Sequence, residues 1–157
     1  MTVLDLADEA ATCAVAVRLA GLLRAGDVLA LWGGLGVGKT VFARALIRAR
    51  AGAEIEVPSP TFTLVQIYEG EAAQAADIFH FDLYRIEAPE DALELGIEDA
   101  FAGGIALIEW PDRLGPLLPA VRLDLIFSDV PEQPSGRRLD LAGHGDWPHR
   151  LAEAGLA

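Results

Sequence analysis

The stretch Val28-Leu29-Ala30-Leu31-Trp32-Gly33-Gly34-Leu35-Gly36-Val37-Gly38-Lys39-Thr40-Val41-Phe42 decides the fold. Its first five residues are a short apolar run of the kind buried in a parallel sheet. Gly33 to Gly38 breaks that run. Thr40 to Arg50 then resumes at helical spacing, with Phe42, Leu46 and Ile47 on the inward side. The order is strand, glycine loop, helix. Gly33 to Thr40 also satisfies the Walker A pattern G-x-x-x-x-G-K-[ST] at every fixed position. Glycines let consecutive backbone N–H groups curl around phosphate oxygens that side chains would block. Lys39 brings a compact charge to the β- and γ-phosphates, and the Thr40 hydroxyl suits Mg2+. The helix that starts there adds its positive N-terminal end. The pattern predicts a nucleotide site at Gly33, Leu35, Gly36, Val37, Gly38, Lys39 and Thr40. Composition agrees, because Lys39 is the only Lys in a chain whose other basic residues are all Arg. The planar guanidinium of Arg does not substitute for an ammonium in so cramped a loop.

Working outward, residues 8–25 read as a helix capped by Asp8 and stopped at Gly26. Downstream, Pro58-Ser59-Pro60 forces a turn. Residues 61–68 and 77–84 read as strands, joined through 69–76 as an antiparallel hairpin. Residues 89–102 are acidic and helical, with a break near Gly96, and Ile105 to Ile108 is a second buried strand. Residues 121–127 and 138–141 read as strands about a turn at 131–136, and 147–156 as a last helix. The sequence has no internal repeat and no low-complexity linker. It predicts one α/β domain over 1–157, a P-loop NTPase-like three-layer fold with a mixed, largely parallel central sheet.

Composition excludes other classes. With 157 residues, 52% of them hydrophobic and 23% charged, the chain has the make-up of a globular core rather than a disordered segment. No apolar run approaches the roughly 18 residues of a membrane span. The opening residues are acidic where a signal peptide is basic, and Cys13 has no partner for a disulfide. A cytoplasmic protein without a membrane partner is expected. The net charge of −12 repels phosphate backbones, which argues against an autonomous nucleic-acid binder.

A phosphate loop also needs an acidic group for its metal. Glu109 ends the better buried strand and is the expected Mg2+ ligand, while Asp82 is expected to orient or activate water. His80 reads as a half-buried strand residue, and His144 and His149 show no metal spacing. Trp110 either covers a nucleotide or fills a core edge. Cys13 reads as a small buried residue.

Four motifs, in order and spacing, resemble the TsaE family: Gly33–Thr40, Ser59-Pro60-Thr61-Phe62-Thr63-Leu64-Val65, His80-Phe81-Asp82-Leu83-Tyr84-Arg85, and Glu109-Trp110-Pro111. That family is the small bacterial ATPase required for threonylcarbamoyladenosine in tRNA. The resemblance spans about Glu9 to Gly136. It implies binding and slow hydrolysis of ATP with Mg2+, metal ligands at Thr40 and Glu109, and a catalytic aspartate at Asp82 acting with Lys39. It implies a switch loop at Thr61 and Thr63 beside Trp110, and base-side contacts from Glu9, Thr12, Gly136 and Arg137. It also implies work with TsaB and TsaD, with tRNA met only through the complex. One departure is Gly34, where the family usually has Asp; phosphate binding stays intact but a charge beside the loop is lost.

Two further classes compete. A small-metabolite kinase shares the phosphate loop, but no Arg-rich lid insertion is visible. A non-enzymatic interaction module would use its nucleotide structurally. A regulatory GTPase is disfavoured, since its Asn-Lys-x-Asp motif cannot occur in a chain without Asn.

Overall fold

In a computed structural model, residues 1–70 and 75–156 are described. The elements are β1 (Thr2–Leu6), α1 (Glu9–Ala20), β2 (Val28–Trp32), α2 (Lys39–Ala51), β3 (Val65–Tyr68), β4 (Ile78–Asp82), α3 (Ile97–Gly103), β5 (Ile105–Glu109), β6 (Leu123–Val130), β7 (Gln133–Gly143) and α4 (Trp147–Glu153). Two 3₁₀ segments, Pro89–Leu95 and Pro111–Leu117, precede α3 and follow β5. The strands form one sheet in the order β1-β7-β6-β2-β5-β4-β3. Pairings among β6, β2, β5 and β4 are parallel; those of β3, β7 and β1 are antiparallel. The sheet is mixed with a parallel centre, as the sequence predicts.

Burial follows the residue pattern. Val28 to Leu31 and all of β5 are buried, because helical elements cover both faces of the central strands. Leu29, Leu31, Leu107 and Leu125 pack under α1, α2 and α4 with Leu19, Phe42, Leu46 and Trp147. Val28, Ala106, Ile108 and Phe81 form the opposite layer with Ala92, Ile97, Ala100 and Leu114, which come from the 3₁₀ segments and α3.

Several boundaries differ from the sequence reading. The first helix ends at Ala20, with Gly21 as its cap, well before Gly26. Residues 61–64 are a turn rather than a strand: the Leu64 N–H donates to the Pro60 carbonyl, and Leu64 takes a φ of 69°. The hairpin of β3 and β4 is present, while residues 71–74 of its link lie outside the described residues. The expected turn at 131–136 is tighter, so that β7 already begins at Gln133 and Gly136-Arg137 lie within it. The break at Gly96 is real, with φ of 80° between the first 3₁₀ segment and α3. β1 has no counterpart in the sequence reading; it adds to the edge of the sheet by pairing with β7. Cys13 is half-buried rather than buried.

A buried ion pair ties the last helix to the start of β2. Arg150, 4% exposed, donates from Nη1 and Nη2 to both oxygens of Asp27 at 2.9 and 2.7 Å. It also donates to the Leu22 carbonyl and lies 3.9 Å from the Trp147 ring centroid. Deleting one member leaves the other charge desolvated and unpaired, which costs about 3–5 kcal/mol. Arg150→Met is therefore expected to lose stability of that order in urea unfolding. Adding Asp27→Asn is expected to restore part of it, and additive losses would show that the two residues act independently.

Candidate functional site

Sheet order places the site. β5 lies between β2 and β4, with Leu31 in register with Glu109 and Glu109 in register with Asp82. The glycine loop after β2, the carboxylate of Glu109 and that of Asp82 therefore stand in a row at the carboxyl ends of three parallel strands. Open α/β sheets bind ligands at that edge. A cleft of about 720 Å³ opens there, lined by Leu35 to Val41, Ser59, Thr61, Asp82, Glu109 and Trp110. Its far wall is made by Asp8, Glu9, Ala10 and Thr12 at the start of α1, facing Pro134, Ser135 and Arg137 of β7.

The loop is shaped by backbone. Gly33, Gly36 and Gly38 have φ of 138°, 71° and 108°, values that only glycine adopts without strain. A Cβ on Gly33 would also sit 2.8 Å from the Phe127 carbonyl oxygen, so the loop is seated directly against β6. Gly38 caps α2 without a side-chain hydrogen bond, and no acidic residue lies in the first turn. The first N–H groups of α2 are left for an anion.

Lys39 is 5% exposed, and its Nζ donates to the Gly33 carbonyl at 2.6 Å. The Trp110 ring lies 3.7 Å from this ammonium. Trp110 reaches it because its backbone adopts the left-handed conformation, with φ of 60° and ψ of 54°. Trp110 lines the cleft and also packs against the second core layer, so it fills a core edge. Burial lowers the Lys39 pKa below its ordinary 10.5, although Glu109, Asp82 and Asp112 pull it upward.

The carboxylates are organised by hydroxyls. Thr40 Oγ1 donates to Glu109 Oε1 at 3.1 Å, while His80 Nε2 lies 2.7 Å from Glu109 Oε2. Thr61 Oγ1 donates to Asp82 Oδ2 at 3.2 Å and accepts from Ser59 Oγ at 2.8 Å. The Tyr84 N–H donates to Asp82 Oδ1 at 3.1 Å. The turn at 61–64 is thus latched to Asp82. No group of three or more His, Cys, Asp or Glu side chains among the described residues can hold a metal unaided. Thr40 and Glu109 form an oxygen pair suited to Mg2+ when phosphates complete the shell.

Not every expected residue reaches the cleft. Thr63 is exposed and accepts a hydrogen bond from Gln66 instead. Gly136 is buried in β7 and does not line the cleft. Arg137 does line it, and its guanidinium is held by backbone carbonyls of the loop and of β7. Nε donates to the Val37 carbonyl at 3.1 Å, and Nη1 to the carbonyls of Gly136 and Pro134 at 2.7 and 2.9 Å. Glu9 is exposed on the far wall, and the Thr12 hydroxyl is directed to the Asp8 carbonyl at 3.5 Å. His80 corrects the sequence reading, being wholly buried and bonded to Glu109. Its position was legible: it precedes Asp82 by two residues in a strand, so both point to the same face.

A family model described as "Threonylcarbamoyl adenosine biosynthesis protein TsaE" matches residues 6–139. The chain belongs to the TsaE family. Relatives named "tRNA threonylcarbamoyladenosine biosynthesis protein TsaE" include that of Rickettsia conorii, 40% identical over 76% of this chain and 68% of the relative. That of Rickettsia bellii is 39% identical over 82% and 88%, respectively. The Bacillus subtilis relative is 35% identical over 74% of this chain and 70% of its own length. The fold is also that of the crystal structure of Bacillus subtilis YdiB. The two superpose with a TM-score of 0.77 over 98% of this chain and 93% of the other, at 24% identity. Among the described residues, no helix is long and apolar enough to cross a membrane.

The Lys39 shift carries a sign. Its folded pKa lies below the unfolded one, so the protonated lysine costs stability, and the cost fades as pH rises from the folded value toward 10.5. Empty Lys39→Met protein is expected to be at least as stable as wild type at pH 7, with the gap closing at alkaline pH in paired urea titrations. ATP with Mg2+ is expected to raise the melting temperature of the wild type only.

Proposed function

We propose that this chain binds ATP with Mg2+ in the cleft and hydrolyses it slowly. Hydrolysis would support threonylcarbamoyl transfer to tRNA adenosine together with TsaB and TsaD. One observation carries the reading: a glycine loop with its lysine faces Thr40–Glu109 on one side and Thr61–Asp82 on the other, within one cleft. A kinase or a passive nucleotide holder would not require the second carboxylate to be tied to a turn at the rim.

In this reading the loop N–H groups and Lys39 neutralise the phosphates, with most effect where charge grows in the transition state. Thr40 and Glu109 would hold the metal, which would supply neutralising charge to the phosphates when bound. Asp82 positions a water and accepts its proton as the water oxygen bonds to the γ-phosphorus. The bond from that phosphorus to the bridging oxygen breaks, and ADP leaves. Asp8, Glu9, Thr12, Ser135 and Arg137 border the space left for ribose and base.

Charge supports an indirect role toward tRNA. The net charge is −12, and several arginines are already engaged: Arg122 with Asp124, Arg138 with Asp140, and Arg150 with Asp27. Partners are better suited to read the rim, where Thr61 meets Asp82 and Phe62 is 80% exposed. A γ-phosphate that reorders this turn changes that surface.

Asp82→Ala is expected to keep binding ATP while turnover falls by about 10²–10⁴-fold. Glu109→Ala is expected to lose the Mg2+-dependent part of the affinity in titrations with and without metal. Opposite patterns would exchange the two roles. Thr61→Ala is expected to reduce the stimulation of ATPase activity by TsaB and TsaD several-fold, and Thr63→Ala far less. Unaltered stimulation in Thr61→Ala would remove the latch from the cycle.

A further inference from the structure

The buried imidazole beneath Glu109 has a geometry that bulk packing does not require. His80 lies on β4 between Gln66 of β3 and Leu107 of β5, in register with both, and has no exposed surface. Among the described residues it makes a single polar contact, from Nε2 to Glu109 Oε2 at 2.7 Å, and its Nδ1 has no partner. A carboxylate only accepts, so Nε2 is the donor in this contact. A leucine of similar size would fill this space without burying a polar atom. The ring is therefore tied to what it does to Glu109.

We propose that His80 is a positioning residue that holds Glu109 in the orientation needed to bind the nucleotide's metal. This rests on the reading of the cleft as a site for ATP with Mg2+. Glu109 has two oxygens and two claimants. His80 takes Oε2, which leaves Oε1 turned toward the Thr40 hydroxyl, where the metal's protein ligands converge. Without the imidazole, the carboxylate is free to swing about its last torsion toward the Lys39 ammonium, the charge that already feels Glu109 more than any other carboxylate. That collapse would withdraw the metal ligand and occupy the lysine together. Partners that orient a ligand in this way commonly govern metal affinity by about 10–100-fold.

Three proteins test this: wild type, His80→Leu and His80→Gln. Glutamine can place an amide N–H near the position of Nε2, whereas leucine cannot. ADP binding is measured by calorimetry in EDTA, Mn2+ binding to each ADP complex by electron paramagnetic resonance, and folding by thermal melting. His80→Leu is expected to bind ADP without metal within about threefold of wild type, and to lose about 10–100-fold in Mn2+ affinity. His80→Gln is expected to recover most of that loss. In a Glu109→Gln background, adding His80→Leu is expected to cost no further Mn2+ affinity, since the group it orients is gone. Wild-type Mn2+ affinity in His80→Leu, with or without a lower melting temperature, would overturn the proposal and leave the nucleotide site standing. If His80→Leu does not fold, His80→Ala takes its place in both backgrounds. An equal loss of about tenfold or more in Mn2+ affinity from His80→Ala in both backgrounds would overturn the proposal. Failure of the wild type to bind ADP at all would instead overturn the reading of the cleft, and this inference with it.

Discussion

The placement of β5 between β2 and β4 is the constraint on which the site depends. Both neighbours pair with it in parallel, so three strand ends finish at one level and deliver the glycine loop, Glu109 and Asp82 side by side. Every residue of β5 is buried, which leaves the strand no freedom to slide. A slip of one residue would turn Glu109 to the opposite face of the sheet. Apolar packing beneath the cleft and polar geometry within it are therefore one problem. Ile105 and Leu107 face α2, and Ala106 and Ile108 face the other layer, so that Glu109 emerges on the side of Lys39 and Thr40.

What was readable in the sequence was local. The loop, the strand before it and the helix after it are specified by contiguous residues, and both carboxylates end apolar runs that can be recognised alone. The turn at Thr61–Leu64 was not readable, because β-branched and aromatic residues there favour a strand while the Thr61–Asp82 bond and the positive φ of Leu64 impose otherwise. β1 was hidden for a different reason: an edge strand at a terminus is specified by the strand it joins, here β7, not by its own five residues. Arg137 lines the cleft and also donates to the Val37 carbonyl of the loop, a contact between segments that no local pattern connects.

The polar groups of the site are restrained in pairs before any ligand arrives. Glu109 is held by Thr40 and His80, Asp82 by Thr61 and the Tyr84 N–H, and Lys39 by the Gly33 carbonyl and the Trp110 ring. For the proposed nucleotide, such pairing would reduce the reorganisation needed when phosphates enter. It would also require the nucleotide to displace some of these contacts. The one between the turn and Asp82 is the most exposed to displacement, since Thr61 belongs to a rim segment and Asp82 to a buried strand.

The bond from Arg137 to the Val37 carbonyl spans 100 residues, and β1 pairs with β7 across nearly the whole chain. Contacts of such long range close late, because the entropy of the intervening loop is lost before they form. The phosphate loop is written early in the chain, yet its brace arrives only with β7. During synthesis, then, a nascent chain that has already produced Gly33 to Thr40 lacks the strand that steadies their shape. The cleft, whose lining includes Pro134, Ser135 and Arg137, is complete only once β7 has joined the sheet.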